Sequence, residues 1–379
     1  MLEPLGQSQV LAYLKRLANG RRIHLISFEK ADDWANVAER VRLERDIASA
    51  GIAWHPLRYH KTPSVLATAF DIMQGIIVGV WLCVRYKIKI IHARSYIPSV
   101  IALTLKKLFN VKYIFDMRGF WADERIDGGL WPKGGRIYRV AKWFEKRFLL
   151  SADSVVSLTN AAVDEMKKFD YLQGRLPNFK VITTCTDLNL FDFKKTNINN
   201  SSKESFVVGY VGSVGVWYLF DETLNCFKLI LEKVPSAQLH IINRGGHQYI
   251  RERLIDKRIN PNKVMIKTSD HAGVAKAMQS MDVGIFFIKP AYSKMSSAPT
   301  KLGEFLGCGI PCLSNTKVGD MAVILNDEKV GVALDSFDET SMKLGIEELM
   351  TLLNDPEIRE RCRSTALKYF SLDIGVRSY

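Results

Sequence analysis

The sequence predicts an α/β protein of two doubly wound domains, each a parallel sheet covered by helices on both faces. Three observations carry this reading. Apolar runs of strand length alternate with helix-period stretches along nearly the whole chain. A polar stretch at 192–205, DFKKTNINNSSKES, interrupts the alternation once and reads as a linker. The 379 residues, 47% of them hydrophobic, suffice for two cores without disulfides or metal.

In the first half the strand-like runs are 22–28 (RIHLISF), 52–58, 88–92 (IKIIH), 111–116, 154–158 and 179–184. Helical periodicity fills 7–19, 34–49, 64–84, 97–109, 136–150 and 159–169. The stretch 64–84 approaches membrane-span length, but Asp71 and Gln74 interrupt it, so a buried helix is expected. After the linker the pattern restarts with strands at 206–211, 237–242, 263–267, 282–288, 310–314 and 330–334. The domains are therefore placed at 1–195 and 196–365, followed by a helical tail at 366–379.

Composition excludes disorder, collagen and small disulfide-stapled folds. The six cysteines form no CxxC pair or zinc spacing and suit a reducing compartment, so a cytoplasmic location and no metal are expected. The net charge of +13 is uneven. Residues 1–190 hold 29 basic and 18 acidic side chains, leaving 24 and 22 for the rest. The first half is thus marked for anionic partners, although a basic surface also simply aids solubility.

In doubly wound sheets, ligands bind beyond the carboxyl ends of the strands. The second half opens with a strand followed by GSVGVWY, including Gly212 and Ser213. Small residues there allow backbone N–H groups to approach an anion, though Gly-rich turns also serve packing. The richer segment is 293–320, SKMSSAPTKLGEFLGCGIPCLSNTKVGD. Ser296, Ser297, Pro299 and Thr300 lead into a helix carrying Lys301 and Glu304 on one face. The ammonium and free helical amides suit a diphosphate, and the carboxylate suits a ribose diol. A capped helix with a surface Lys–Glu pair is the plainer alternative.

These residues carry a resemblance. The segment resembles the donor-binding signature of family 4 glycosyltransferases of the GT-B fold, closest to a bacterial surface-polysaccharide branch reading SSPTKLGEYLACGLP with a later GD. Matching positions are Pro299, Thr300, Lys301, Glu304, Gly309, Pro311, Gly319 and Asp320. The stretches at 4–18, 90–99, 115–131 and 208–218 agree with the same branch. The resemblance implies two Rossmann-like domains facing a cleft. It also implies transfer of a sugar from a nucleotide diphosphate donor, with retained configuration and no cofactor or metal.

By this likeness Glu304 binds the ribose, while Gly212, Ser213 and Lys301 hold the diphosphate. Asp116 and Arg118 are the catalytic candidates, and Gly6, His92 and Arg94 lie on the acceptor or cleft side. Asp116 could instead merely pair with Arg118, and His92 could be a core histidine. Two departures stand out. Ser296 occupies the place of the first acid of the family's Glu-x7-Glu, so Ser296, Ser297 or backbone amides would contact the sugar. No Arg or Lys follows the first strand of the second domain, and Lys301 with Arg244 would supply that charge.

Residues 133–148, KGGRIYRVAKWFEKRF, interleave basic and aromatic side chains and suit an anionic membrane surface. An ordinary covering helix is the alternative. The expected partners are thus a nucleotide sugar, a glycan or lipid-linked acceptor, and an anionic membrane on the cytoplasmic side. Nucleic acid is not expected, because no RRM, KH or helix-turn-helix signature accompanies the charge. Other readings are a sugar-nucleotide epimerase on the same fold and a non-catalytic sugar-nucleotide-binding protein. Family members normally begin with a strand feeding the loop Pro4–Leu5–Gly6. Met1 lies just before that loop, so the first strand of the N-terminal domain is expected to be missing. The chain also stops at Tyr379, where relatives usually continue the final helix.

Overall fold

The computed structural model describes residues 1–192 and 205–379. Residues 193–204, nearly all of the expected linker, lie outside the described residues. The chain forms two compact units, one of Met1–Ile182 with Gly375–Tyr379 and the other of Thr183–Ile374. The sequence reading places these divisions at 195 and 365.

Unit 1 begins with α1 (Pro4–Gly6), a π-helical turn and α2 (Ala12–Leu17), then β1 (Ile23–Glu29), α3 (Ala31–Ala35), α4 (Val37–Ser49) and β2 (Ile52–Arg58). It continues with α5 (Ser64–Tyr86), β3 (Ile90–Arg94), α6 (Tyr96–Phe109), β4 (Lys112–Asp116) and α7 (Trp121–Asp127). Next come α8 (Arg136–Ser151), β5 (Ser154–Ser157), α9 (Asn160–Lys167) and β6 (Phe179–Val181). All pairings are parallel, but the strands make two separate sheets, β1–β2 and β3–β4–β5–β6. Among the described residues no strand joins β1 to β3.

Unit 2 contains β7 (Val207–Val211), α10 (Phe220–Lys233), β8 (Gln238–Ile242), α11 (His247–Asp256), β9 (Val264–Lys267) and α12 (His271–Met278). There follow β10 (Val283–Ile285), α13 (Thr300–Gly307), β11 (Cys312–Asn315), α14 (Met321–Asp327), β12 (Gly331–Leu334), α15 (Glu339–Leu353) and α16 (Ile358–Tyr369). A last helix, α17 (Leu372–Ser378), spans the boundary between the units. The sheet is one parallel array in the order β12-β11-β10-β7-β8-β9. Every residue of β7 is buried, as expected of a central parallel strand covered on both faces.

The expectation of a buried helix at 64–84 is corrected. The helix forms, but only 28% of its most apolar window is buried. Asp71 does not interrupt it. Its buried carboxylate accepts the His60 amide at 3.0 Å and pairs with His60 Nδ1 at 2.5 Å. One face packs closely on α6, since a Cβ at Gly75 or Gly79 would come within 2.3 or 2.5 Å of the Ile101 or Leu105 side chain. The opposite face stays exposed.

Candidate functional site

In unit 2 the chain runs from β7 to β8 and β9, then crosses back to β10 on the other side of β7. This reversal creates a switch point at the carboxyl ends of β7 and β10, the usual ligand position in a doubly wound sheet. The segments predicted from sequence leave from these ends. β7 runs into Gly212, whose φ of 120° favours glycine. A Cβ there would also fall 2.6 Å from Lys301 Nζ. The backbone conformation calls for the glycine, and any larger residue would push the Lys301 ammonium from its place.

Lys301 lies in the first turn of α13 and is buried, which excludes a surface Lys–Glu pair. Its Nζ has no hydrogen-bond partner among the described residues. It sits 3.8 Å from the Tyr218 ring centroid, with Phe286 and Tyr210 at 5.3 and 5.4 Å. Burial lowers its pKa to about 7, against the opposing pull of Glu304. An unpaired buried ammonium at a helix N-terminus, where amide dipoles add positive potential, is costly without an anion. Glu304, one turn later and also buried, lies 3.5 Å from His271 Nε2 and raises that imidazole's pKa by hydrogen bonding.

The supporting geometry is made by residues that the sequence reading passed over. Asn243, directly after β8, donates to the Gly212 carbonyl at 2.8 Å and accepts the Gly245 and Gly246 amides at 3.0 and 2.6 Å. It ties the two loops together. Tyr210 donates its hydroxyl to the Ser213 carbonyl at 2.6 Å, fixing the turn after β7. Lys294 stacks its ammonium 3.6 Å from the Trp217 ring centroid. The position of Asn243 at a strand end was a usable signal. The His271 contact spans too much sequence to be read from spacing.

The remaining candidates divide. Pro299 caps α13 with φ −71°, and Thr300 opens the helix. Ser297 donates its amide to the Lys294 carbonyl at 3.1 Å. Ser296 is buried and donates its hydroxyl to the Ser293 carbonyl at 2.7 Å, so it braces its own turn. Arg244 is exposed, and its charge opposes protonation of His271.

A second cluster belongs to unit 1. Asp116 ends β4 directly opposite Arg94 of β3 and is fully buried. Its Oδ2 accepts Arg94 Nη1 and the Tyr379 hydroxyl, both at 3.1 Å, and faces His92 Nε2 at 3.4 Å. Oδ1 has no partner among the described residues. Burial alone would raise the Asp116 pKa, but the His92 hydrogen bond and the Arg118 and Arg94 charges hold it well below the usual carboxylate range. Arg118 adopts φ 60°, an uncommon left-handed conformation for a long side chain. His92 is exposed, with the Tyr379 ring 4.9 Å away, so it is no core histidine. Gly6 takes a helical φ of −62° and donates its amide to the Glu3 carbonyl at 2.9 Å. The cluster draws Asp116, Arg94, His92 and Arg118 together and adds Tyr379, which sequence spacing did not indicate.

Known proteins share this fold. Residues 9–175 match the family model "Glycosyl transferase 4-like domain", and residues 192–369 match "Glycosyl transferases group 1". A glycosyltransferase from Rickettsia africae superposes with a TM-score of 0.72 at 14% identity, covering 99% of this chain and 94% of that one. Sucrose-phosphate synthase from Thermosynechococcus elongatus gives 0.66 at 14% identity over 94% and 97%. Anabaena HepE, in complex with UDP and glucose, gives 0.64 at 14% identity over 97% and 94%. Among curated protein sequences none matches the chain.

Proposed function

The chain is a glycosyltransferase built of two Rossmann-like domains, and from that premise we propose that it moves a sugar, with retention, from a nucleoside diphosphate to a lipid-linked glycan acceptor. The observation that carries the donor assignment is the buried, unpartnered Lys301 ammonium set against Gly212 at the sheet's switch point. A diphosphate there would supply the missing anion, and the first amides of α13 and the Gly212–Ser213 turn would add donors. Glu304 would take the ribose hydroxyls. HepE binds UDP and glucose, which supports a nucleotide sugar as donor.

In this reading the bond between the sugar's anomeric carbon and the β-phosphate oxygen breaks as negative charge gathers on the diphosphate. Lys301 and the oriented amides offset that charge without a metal. The acceptor hydroxyl attacks from the same face and gives its proton to the departing phosphate oxygen. Asp116, held ionised by the His92 hydrogen bond and the Arg118 and Arg94 charges, would be the catalytic carboxylate, with Arg118 beside it. Ser296 would contribute its backbone rather than its hydroxyl, which is already committed.

The acceptor reading draws on α8. Arg136, Arg139, Lys146 and Arg147 are exposed beside Ile137, Val140 and Trp143. Lys142 points inward instead, paired with Asp123 at 2.9 Å and Glu145 at 2.5 Å, so it is not part of that face. The face suits an anionic membrane on the cytoplasmic side and a pathway of bacterial surface polysaccharide.

A thermal-shift series with UDP, GDP and ADP tests the donor site. One nucleotide should stabilise the wild-type protein selectively, and Glu304→Ala should lose about tenfold or more in its affinity. Equal affinity in the variant would contradict the ribose assignment.

A further inference from the structure

Helix α5 is predominantly apolar, yet it is covered on one side only. Ala67, Asp71, Gly75, Gly79, Leu82 and Cys83 form its buried face. At 100° per residue, Leu66, Phe70, Met73, Ile77, Trp81 and Val84 fall within an arc of about 80° on the opposite face. All six are exposed, from 43% for Phe70 to 70% for Leu66. A continuous apolar stripe on a 23-residue helix is larger than scattered surface hydrophobics explain.

The charges around the stripe select its occupant. Residues 59–92 carry Lys61, Arg85, Lys87 and Lys89, all exposed, and their one acid, Asp71, is buried against His60. Two copies pairing through this stripe would bring like-charged ends together in either orientation. An anionic lipid surface would attract those ends and accept the apolar face between them. The inner face keeps its contacts with α6, which fits a helix lying in the plane of the bilayer interface rather than crossing it. α6 in turn packs against α8, whose exposed face mixes basic and apolar side chains.

We infer that α5 is a membrane-inserting helix that beds Leu66, Phe70, Met73, Ile77, Trp81 and Val84 among the acyl chains of an anionic bilayer, with its basic ends at the headgroups. The inference extends the membrane reading of α8 from electrostatic attraction to apolar insertion, and salt separates the two. Attraction through α8 is screened at high salt, whereas insertion is not.

The test uses the full chain with phosphatidylcholine vesicles containing about 30% phosphatidylglycerol. The wild-type protein should co-sediment with them and remain bound at about 0.5 M NaCl. A Leu66→Ser/Ile77→Gln/Val84→Gln variant should melt like wild type, because these are the most exposed side chains of the stripe, and lose about tenfold or more in vesicle affinity at that salt. Arg136→Glu/Arg139→Glu should weaken binding at low salt only. An environment-sensitive dye on Ile77→Cys, attached selectively because the six native cysteines are buried, should shift to the blue on vesicle addition. Complete release by salt with a silent dye would overturn insertion by α5 while leaving the α8 reading standing. A blue shift without lipid, accompanied by a dimer in sedimentation, would overturn it in favour of a second copy. Failure of the wild-type protein to bind anionic vesicles at either salt would overturn both.

Discussion

The two units are built from the same kind of strand, yet among the described residues unit 2 holds one continuous sheet and unit 1 two separate ones. In unit 2, β7 is paired on both sides and buried at every residue. In unit 1, β1 and β3 are each paired on one side only, β1 is half-buried along most of its length, and Ile90 and His92 of β3 are exposed. The apolar cluster under unit 2 runs from Leu188 to Phe370 without a break, whereas that beneath β1–β2 contains five buried side chains, Leu2, Leu11, Leu43, Ile47 and Ile52. The difference teaches how each site is held. The Lys301 site rests on a continuous packed core, which can carry an unpaired buried charge. The Asp116 site rests on compensating charges across a partial sheet.

The largest expected effect follows from that contrast. Asp116→Ala would leave Arg94 and Arg118 facing each other without their counter-charge, and should destabilise unit 1 by about 3–5 kcal/mol in denaturant unfolding. The wild-type contribution has a definite pH window. Because the folded pKa of Asp116 is depressed, its stabilisation is present above an unfolded value of about 4 and is lost as pH falls below it. A variant as stable as wild type, with unchanged acid sensitivity, would show that the cluster is not held by charge.

A smaller effect should appear in hydrogen exchange. Amides in β1 and β2 should exchange about tenfold or more faster than those in β7 and β8, because fewer buried contacts resist their opening. Equal protection would mean that the two-stranded sheet opens only with the whole protein, and the contrast between the units would fail.

Much of this was legible in the sequence. The expected runs match twelve strands among the described residues, because parallel buried strands read as apolar runs bounded by turns. The places of Gly212 after a strand and of Lys301 and Glu304 in a helix were legible because strand ends and helix starts are local features. Three things were not legible. The partners Asn243, His271 and Tyr379 reach their sites through tertiary approach rather than spacing. The exposure of α5 was hidden because apolar periodicity shows that a helix is apolar but not which sides are covered. Lys142, read with the basic face, turns inward because Asp123 and Glu145 lie within the fold.

The proposed donor site of unit 2 is most directly tested by proton uptake on nucleotide binding. Burial lowers the Lys301 pKa to about 7, and a diphosphate beside it would raise that value. Titration calorimetry in buffers of differing ionisation enthalpy should show about half a proton taken up at pH 7, rising to close to one between pH 8 and 9, where affinity should fall by up to about tenfold per pH unit. Lys301→Met should bind at least about tenfold more weakly and take up no proton from this group. Unchanged affinity and unchanged proton uptake in the variant would contradict the assignment of Lys301 to the diphosphate.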